Sequence, residues 1–344
     1  MKKKFKLALN TSIILVYVVI IAGAVVRMTG SGMGCPDWPK CFGYMIPPTE
    51  ASQLQWKPNF EYQKGQVIIR DETLRVVKNN FRTGLIYNNN NWNAYTKHDY
   101  ATFNPLHTWV EYINRLATVL FGIPILILVF ISLFLWEENK SYFFLSFATL
   151  FSVGFEAWLG KIVVDTNLQP VRITLHVLFV FFIVAFLLWL KSIENKKKGN
   201  IHHSKLFNIG VMAIFLTLLQ VIIGTQVRQF VDGQMTHFNY QTQKNWLSPA
   251  PIIFYIHRSF SILILLINAF WIYKYQQVFA NLKIIKWVGI LLGLEILTGI
   301  ILYYLDFPFL SQPIHLLLAA LLFGIQFYTT LLLSKKEVKR NIIT

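Results

Sequence analysis

Glu156–His176 reads EAWLGKIVVDTNLQPVRITLH, and Glu295–His315 reads EILTGIILYYLDFPFLSQPIH. The two stretches are built alike. A glutamate lies in an apolar run, a glycine follows four residues later (Gly160, Gly299), a short proline-containing loop intervenes, and a histidine opens the next apolar run. The Glu-to-His spacing is 20 residues in both. A chain that repeats such a unit is an internal duplication, and its two copies predict equivalent sites.

Two further matches extend the repeat in the same order. GAVVR (Gly23 to Arg27) corresponds to GTQVR (Gly224 to Arg228), and INR (Ile113 to Arg115) to IHR (Ile256 to Arg258). The halves are then 1–197 and 198–344, with the Lys-rich segment KSIENKKKGNIHHSK as the inner linker between them.

The 344 residues are 55% hydrophobic with a mean hydropathy of +0.48. Eight apolar stretches approach the roughly 20 residues that a bilayer crossing takes. They lie near 8–28, 107–135, 141–163, 172–191, 206–227, 252–273, 285–304 and 313–333. The fold class is an all-α integral membrane protein with four helices in each half. MKKKFK precedes the first stretch, but no small-residue cleavage pattern follows it, so it reads as a retained helix.

The net charge of +16 does not indicate nucleic acid. With the N-terminus inside, the inner segments hold 17 of the 32 Lys and Arg against four carboxylates, Glu137, Glu138, Glu194 and Glu337. That is the positive-inside bias, and it puts both termini in the cytoplasm. The segment from about 29 to 106 is then an outer loop, in which QVIIRDETLRVV (66–77) alternates like a short strand or hairpin. It carries no recognisable catalytic constellation. Cys35 and Cys41 lie in this loop, on the side where disulfides persist. A disulfide is the expected pairing. Two redox-active thiols are the first alternative and a metal site the weakest, because one pair offers too few ligands.

Each even helix begins outside, near a proline, and carries an anchor residue within roughly 15 Å of its outer end at 1.5 Å per residue. The anchors are Asn114, His176, His257 and His315. Ionisable groups inside spanning helices are costly and mark function; the plainer alternative for each histidine is an interhelical hydrogen bond. A four-helix bundle can place two inward histidines on facing helices and ligate haem iron from both sides. His257 and His315 form such a pair. In the first half His176 is matched by Asn114, whose amide is a poor iron ligand. That half also has Glu111, where the second has Phe254. Glu111 suits proton handling, or a helical ion pair with Arg115. Arg27, Arg115, Arg228 and Arg258 suit anionic propionates, or lipid headgroups. Glu156 and Glu295 serve proton movement or helix packing.

GAVVRMTGSGMGCPDWPKC, the EYINR of the second helix, and His176, His257 and His315 together resemble the haem A synthase family over nearly the whole chain. The resemblance implies two pseudo-twofold-related four-helix bundles. It implies oxidation of the haem O methyl group to a formyl group, giving haem A for terminal oxidases. It puts a haem b cofactor at His257 and His315 in the second half, and substrate haem O at Asn114 and His176 in the first. Glu111 becomes the glutamate of the family's helix-2 motif, and Cys35 and Cys41 its loop cysteine pair. Partners that follow are haem O, membrane lipid, haem O synthase and the terminal oxidase assembly, with a homo-oligomer as a further expectation. The location is the bacterial inner membrane. Asn114 departs from the family's usual histidine. The competing functions are a b-type cytochrome that only transfers electrons, and a repeat-built transporter, which would place its site at the midplane.

Overall fold

A computed structural model describes residues 1–98, 101–195, 203–279 and 283–334. Among these residues, eight helices are long and apolar enough to cross a membrane. They are α1 (Lys2–Met28), α2 (Pro105–Phe134), α3 (Ser141–Asp165), α4 (Pro170–Glu194), α5 (Ser204–His237), α6 (Ile252–Val278), α7 (Ile284–Tyr304) and α8 (Ser311–Leu333). The all-α membrane architecture is as the apolar runs predict. The expected boundary between the halves, at 197/198, lies outside the described residues, as do His202 and Glu337.

Local chemistry sets the helix ends. Pro105 and Pro170 open α2 and α4, where a missing N–H costs nothing. His203, read as a linker residue, caps α5 by accepting from the Leu206 N–H at 3.2 Å. The main departure is the C-terminal end of α5, which runs to His237 rather than stopping near 227. The stretch after Arg228 contains no proline. Arg228 pairs with Asp232 one turn on at 2.8 Å, and Val231 and Met235 share one face that buries against Trp246. His237, expected in a loop, is the last residue of that helix.

Packing divides the chain into two compact units. One contains Met1–Ile21, Leu120–Phe155 and Val177–Thr344; the other contains Ala22–Val119 and Glu156–His176. In the first, α5 packs on α6 and α8, and α7 packs on the same two helices, closing a four-helix bundle. Trp271 and Tyr275 of α6 are fully buried in its core with Leu206, Ile285 and Val288. A second core in that unit joins Leu9 of α1, Leu128 of α2 and Leu187 of α4.

The other unit carries the outer segment. Its hairpin forms where the alternation predicts: β2 (Val67–Arg70) pairs antiparallel with β3 (Thr73–Val77), and β5 (Trp92–Ala94) extends the sheet from β3. β1 (Glu61–Tyr62) pairs with β4 (Phe81–Arg82). Alternation divides the side chains between two small cores: Val67 and Leu74 join Cys35, Cys41 and Phe42, while Ile68 and Val77 join Tyr62 and Trp92.

Candidate functional site: four anchors, four glycines

Each anchor faces a glycine of the preceding helix. A Cβ on Gly224 of α5 would lie 3.0 Å from Cε1 of His257, on Gly160 of α3 3.3 Å from Cε1 of His176, on Gly299 of α7 3.6 Å from Cε1 of His315, and on Gly23 of α1 3.8 Å from Oδ1 of Asn114. The glycines of the two repeated motifs thus leave the room that the four anchors occupy. Sequence comparison exposed the glycines and the anchors separately. Their pairing needed the structure.

The glutamates of the repeat have partners. Glu156 Oε1 is 3.0 Å from His176 Nδ1, and Glu295 Oε1 is 3.4 Å from His315 Nδ1. Thr298 adds its hydroxyl at 2.9 Å from His315 Nδ1. Each ring also meets open space: the His176 side chain is 38% exposed and that of His315 25%. His257 is near enough to His315 to act on it electrostatically, and Gln220 Nε2 donates to the His257 carbonyl at 3.0 Å. His257 Nδ1 and Asn114 Oδ1, at equivalent places in the repeat, are both buried with no hydrogen-bond partner among the described residues, and so is His176 Nδ1, whose approach to Glu156 lacks hydrogen-bond geometry.

Glu111 is in an ion pair. Arg115 Nη2 lies 2.5 Å from Glu111 Oε1, and both side chains are mostly buried. The same guanidinium donates to the carbonyls of Asp37 (2.8 Å), Lys40 (2.9 Å) and Cys35 (3.3 Å). Glu111 Oε2 accepts the Cys35 N–H at 2.8 Å, and Thr108 donates to the Gly34 carbonyl at 2.8 Å. Together they fasten loop 34–43 onto α2. Within the loop, Cys35 and Cys41 are joined by a disulfide. Asp37 accepts from the N–H groups of Phe42 (2.5 Å) and Gly43 (2.8 Å). Burial raises the Asp37 carboxyl above its ordinary range, against the pull of those donors and Arg115. Burial also raises the Tyr95 phenol, which keeps the proton it donates to the Pro36 carbonyl.

The remaining arginines differ between the halves. Arg27 is in the last turn of α1. Arg228 is paired with Asp232 and also contacts Met235 Sδ at 3.2 Å. Arg258, the counterpart of Arg115, sits over the rings of Tyr255 (5.2 Å) and Phe254 (5.8 Å). An aromatic face thus stands where the first half has a carboxylate. His107 lies two turns before Asn114 on α2, with its carbonyl packed directly under Gly34. The sequence reading missed Lys97 and Lys161, which grip Asp165 at 3.2 and 2.7 Å. Only the Lys161–Asp165 half had a signal, its i,i+4 spacing.

Eight apolar helices among the described residues, with imidazoles seated against glycines and acidic or hydroxyl groups behind two of those imidazoles, define a multi-pass membrane protein. The family described as COX15-CtaA, cytochrome oxidase assembly protein, matches residues 6–84 and 88–327, and the chain belongs to it. It is also similar to proteins named "Heme A synthase". One from Shewanella oneidensis is 25% identical over 232 residues, covering 67% of this chain and 56% of the relative. One from Flavobacterium psychrophilum is 26% identical over 219 residues, covering 61% and 57%. One from Flavobacterium johnsoniae is 23% identical over 367 aligned positions, covering 97% and 100%. The matches thus span just over half the length of the first two relatives and all of the third.

Proposed function

We propose that this protein is a haem A synthase, an oxidoreductase that converts the methyl group of haem O to the formyl group of haem A for terminal oxidases. The observation that carries the reading is the asymmetry between otherwise repeated sites. Both seat anchors against glycines and back one histidine with a glutamate. Only the second half, 198–344, has histidine at both anchor positions, His257 and His315, and these suit a permanently held haem b. The first half, 1–197, has His176 opposite Asn114 and suits a guest that enters and leaves.

Two observations support a porphyrin: the imidazoles of His176 and His315 keep accessible edges, and three of the four anchors, Asn114, His176 and His257, have a buried polar atom without a hydrogen-bond partner among the described residues. Arg228 and Arg258 would serve the haem b propionates and Arg27 those of haem O; Arg115, expected beside them, has its terminal nitrogens taken by Glu111 and three loop carbonyls. When bound, haem b supplies one-electron redox chemistry. Glu111 is the group placed to hold or move a proton beside the substrate, with Arg115 and the disulfide loop fixing its two oxygens. The positive-inside bias supports the bacterial plasma membrane with both termini cytoplasmic. Haem O synthase and the oxidase assembly are the expected protein neighbours, in a monomer or homo-oligomer.

Asn114 favours one second reading, a b-type cytochrome whose first half no longer turns over haem. Chromatography of haems extracted from a host that makes haem O but no haem A separates the two. Expression of this chain yields haem A on the first reading. Bound haem with no haem A establishes the second.

A further inference from the structure

Proton accounting at the two backed histidines goes beyond naming them as ligands. Thr298 Oγ lies 3.0 Å from the Leu294 carbonyl and 2.9 Å from the Glu295 carbonyl. A hydroxyl has one proton, and two helix carbonyls compete for it. When either takes it, the contact to His315 Nδ1 at 2.9 Å is one in which the oxygen accepts. His315 then carries its proton on Nδ1, and Nε2 presents a bare lone pair. In the first half the place of Thr298 is taken by Leu159, a buried apolar residue. There Glu156 Oε1 stands 3.0 Å from His176 Nδ1, near enough for its charge to favour a proton on Nδ1 although the pair lacks hydrogen-bond geometry, while the Glu295 oxygen stands back at 3.4 Å. The second oxygens, Glu156 Oε2 and Glu295 Oε2, are buried without hydrogen-bond partners among the described residues. Neither side chain is held in place by another polar group there.

We infer that Thr298 and Glu156 are positioning residues that fix the Nδ1–H tautomer of His315 and His176, and that the two halves differ by design in the acceptor: a hydroxyl behind the cofactor-side imidazole and a carboxylate behind the substrate-side one. A carboxylate acceptor makes imidazole a stronger electron donor than a hydroxyl does. The first-half histidine is the more electron-rich ligand, which compensates for an opposite position occupied by asparagine. The second-half histidine is a moderate ligand in a bis-imidazole pair, suited to cycling between two iron oxidation states. The inference rests on the haem reading above.

The test uses the full-length protein purified with its resident haem. T298V removes the acceptor and keeps the shape; T298S restores it. The expected result is a midpoint potential that shifts upward in T298V, with haem dissociating on the order of 10–100-fold more readily, and wild-type values in T298S. E156Q leaves the resident haem's potential unchanged and weakens binding of added ferric haem to the first half, on the order of 10-fold or more. A T298V protein with the wild-type potential and haem retention overturns the inference while leaving the proposed function intact. A colourless wild-type protein removes the proposed function, and the inference with it.

Discussion

Gly224 and His257 are in contact at the limit of packing: a methyl group on the glycine would stand 3.0 Å from the imidazole Cε1. Carbon atoms prefer about 3.5–4.0 Å, so the ring in a G224A variant must move by several tenths of an ångström. At Gly299 the same methyl would stand 3.6 Å from His315, an ordinary contact. Alanine also gains about 1 kcal/mol of helix propensity over glycine. G299A is therefore expected to match or exceed the wild type in thermal stability with its haem retained. G224A is expected to lose haem and melt lower, and G160A, at 3.3 Å from His176, to spare the resident haem. Absorbance and thermal unfolding of the three purified variants check the order; haem retention by G224A equal to G299A would contradict it.

These pairings show what the sequence made legible and what it did not. The apolar runs specified eight helices because a bilayer crossing needs length and apolarity, and both are local properties. The hairpin at 67–77 was legible for the same reason, since its alternation is written in adjacent residues. The C-terminal end of α5 was not, because Arg228, Val231 and Met235 continue the helix through contacts with Asp232 and Trp246 that hydropathy does not register. Arg115 was read as a propionate ligand or a partner of Glu111. Only the fold shows that it also grips three carbonyls from a loop more than 70 residues earlier.

The Arg115–Glu111 pair gives a stability prediction. Removing one partner of a buried ion pair strands the other charge, at a typical cost of about 3–5 kcal/mol. Arg115 is 14% exposed and Glu111 6%. R115A should lie in that range and also free loop 34–43, so that a mild reductant opens the Cys35–Cys41 bond faster. The double variant R115M/E111L should recover much of the lost stability, because neither charge is left buried alone. Thermal unfolding and the rate of thiol labelling after reductant measure both effects. An R115A protein as stable and as slow to reduce as the wild type would show that the clamp is incidental.

Asp37 sets a pH dependence in the outer loop. Its carboxyl is raised above the ordinary 3.8 by burial. Between the ordinary and the raised value, the folded loop binds more protons than the unfolded chain, so stability falls as pH rises through that window. Its contribution is fully present below the ordinary value and lost above the raised one. D37N removes this dependence. It also leaves the Gly43 or the Phe42 N–H without its acceptor, a cost of about 1–3 kcal/mol. Hydrogen exchange of the loop amides at a series of acidic pH values reads both. A D37N profile parallel to that of the wild type would assign the dependence to another group.

Asn114 occupies the place that His257 has in the other half, and Gly23 faces it as Gly224 faces His257. Gly23 leaves 3.8 Å to the asparagine oxygen, as Gly224 leaves 3.0 Å to an imidazole carbon, so a glycine is already in place to admit the larger ring at 114. N114H should therefore fold with wild-type stability and turn the first half into a bis-histidine site like the second. Added haem would bind there on the order of 10-fold or more tighter, an effect the size of about 1.4 kcal/mol, with a low-spin spectrum. A guest held from both sides leaves slowly, so haem A release should fall even as haem content rises toward two per chain. Haem quantitation and the spin state of the bound iron decide the matter. An N114H protein that stays at one haem per chain would show that the first half does not seat a porphyrin between positions 114 and 176.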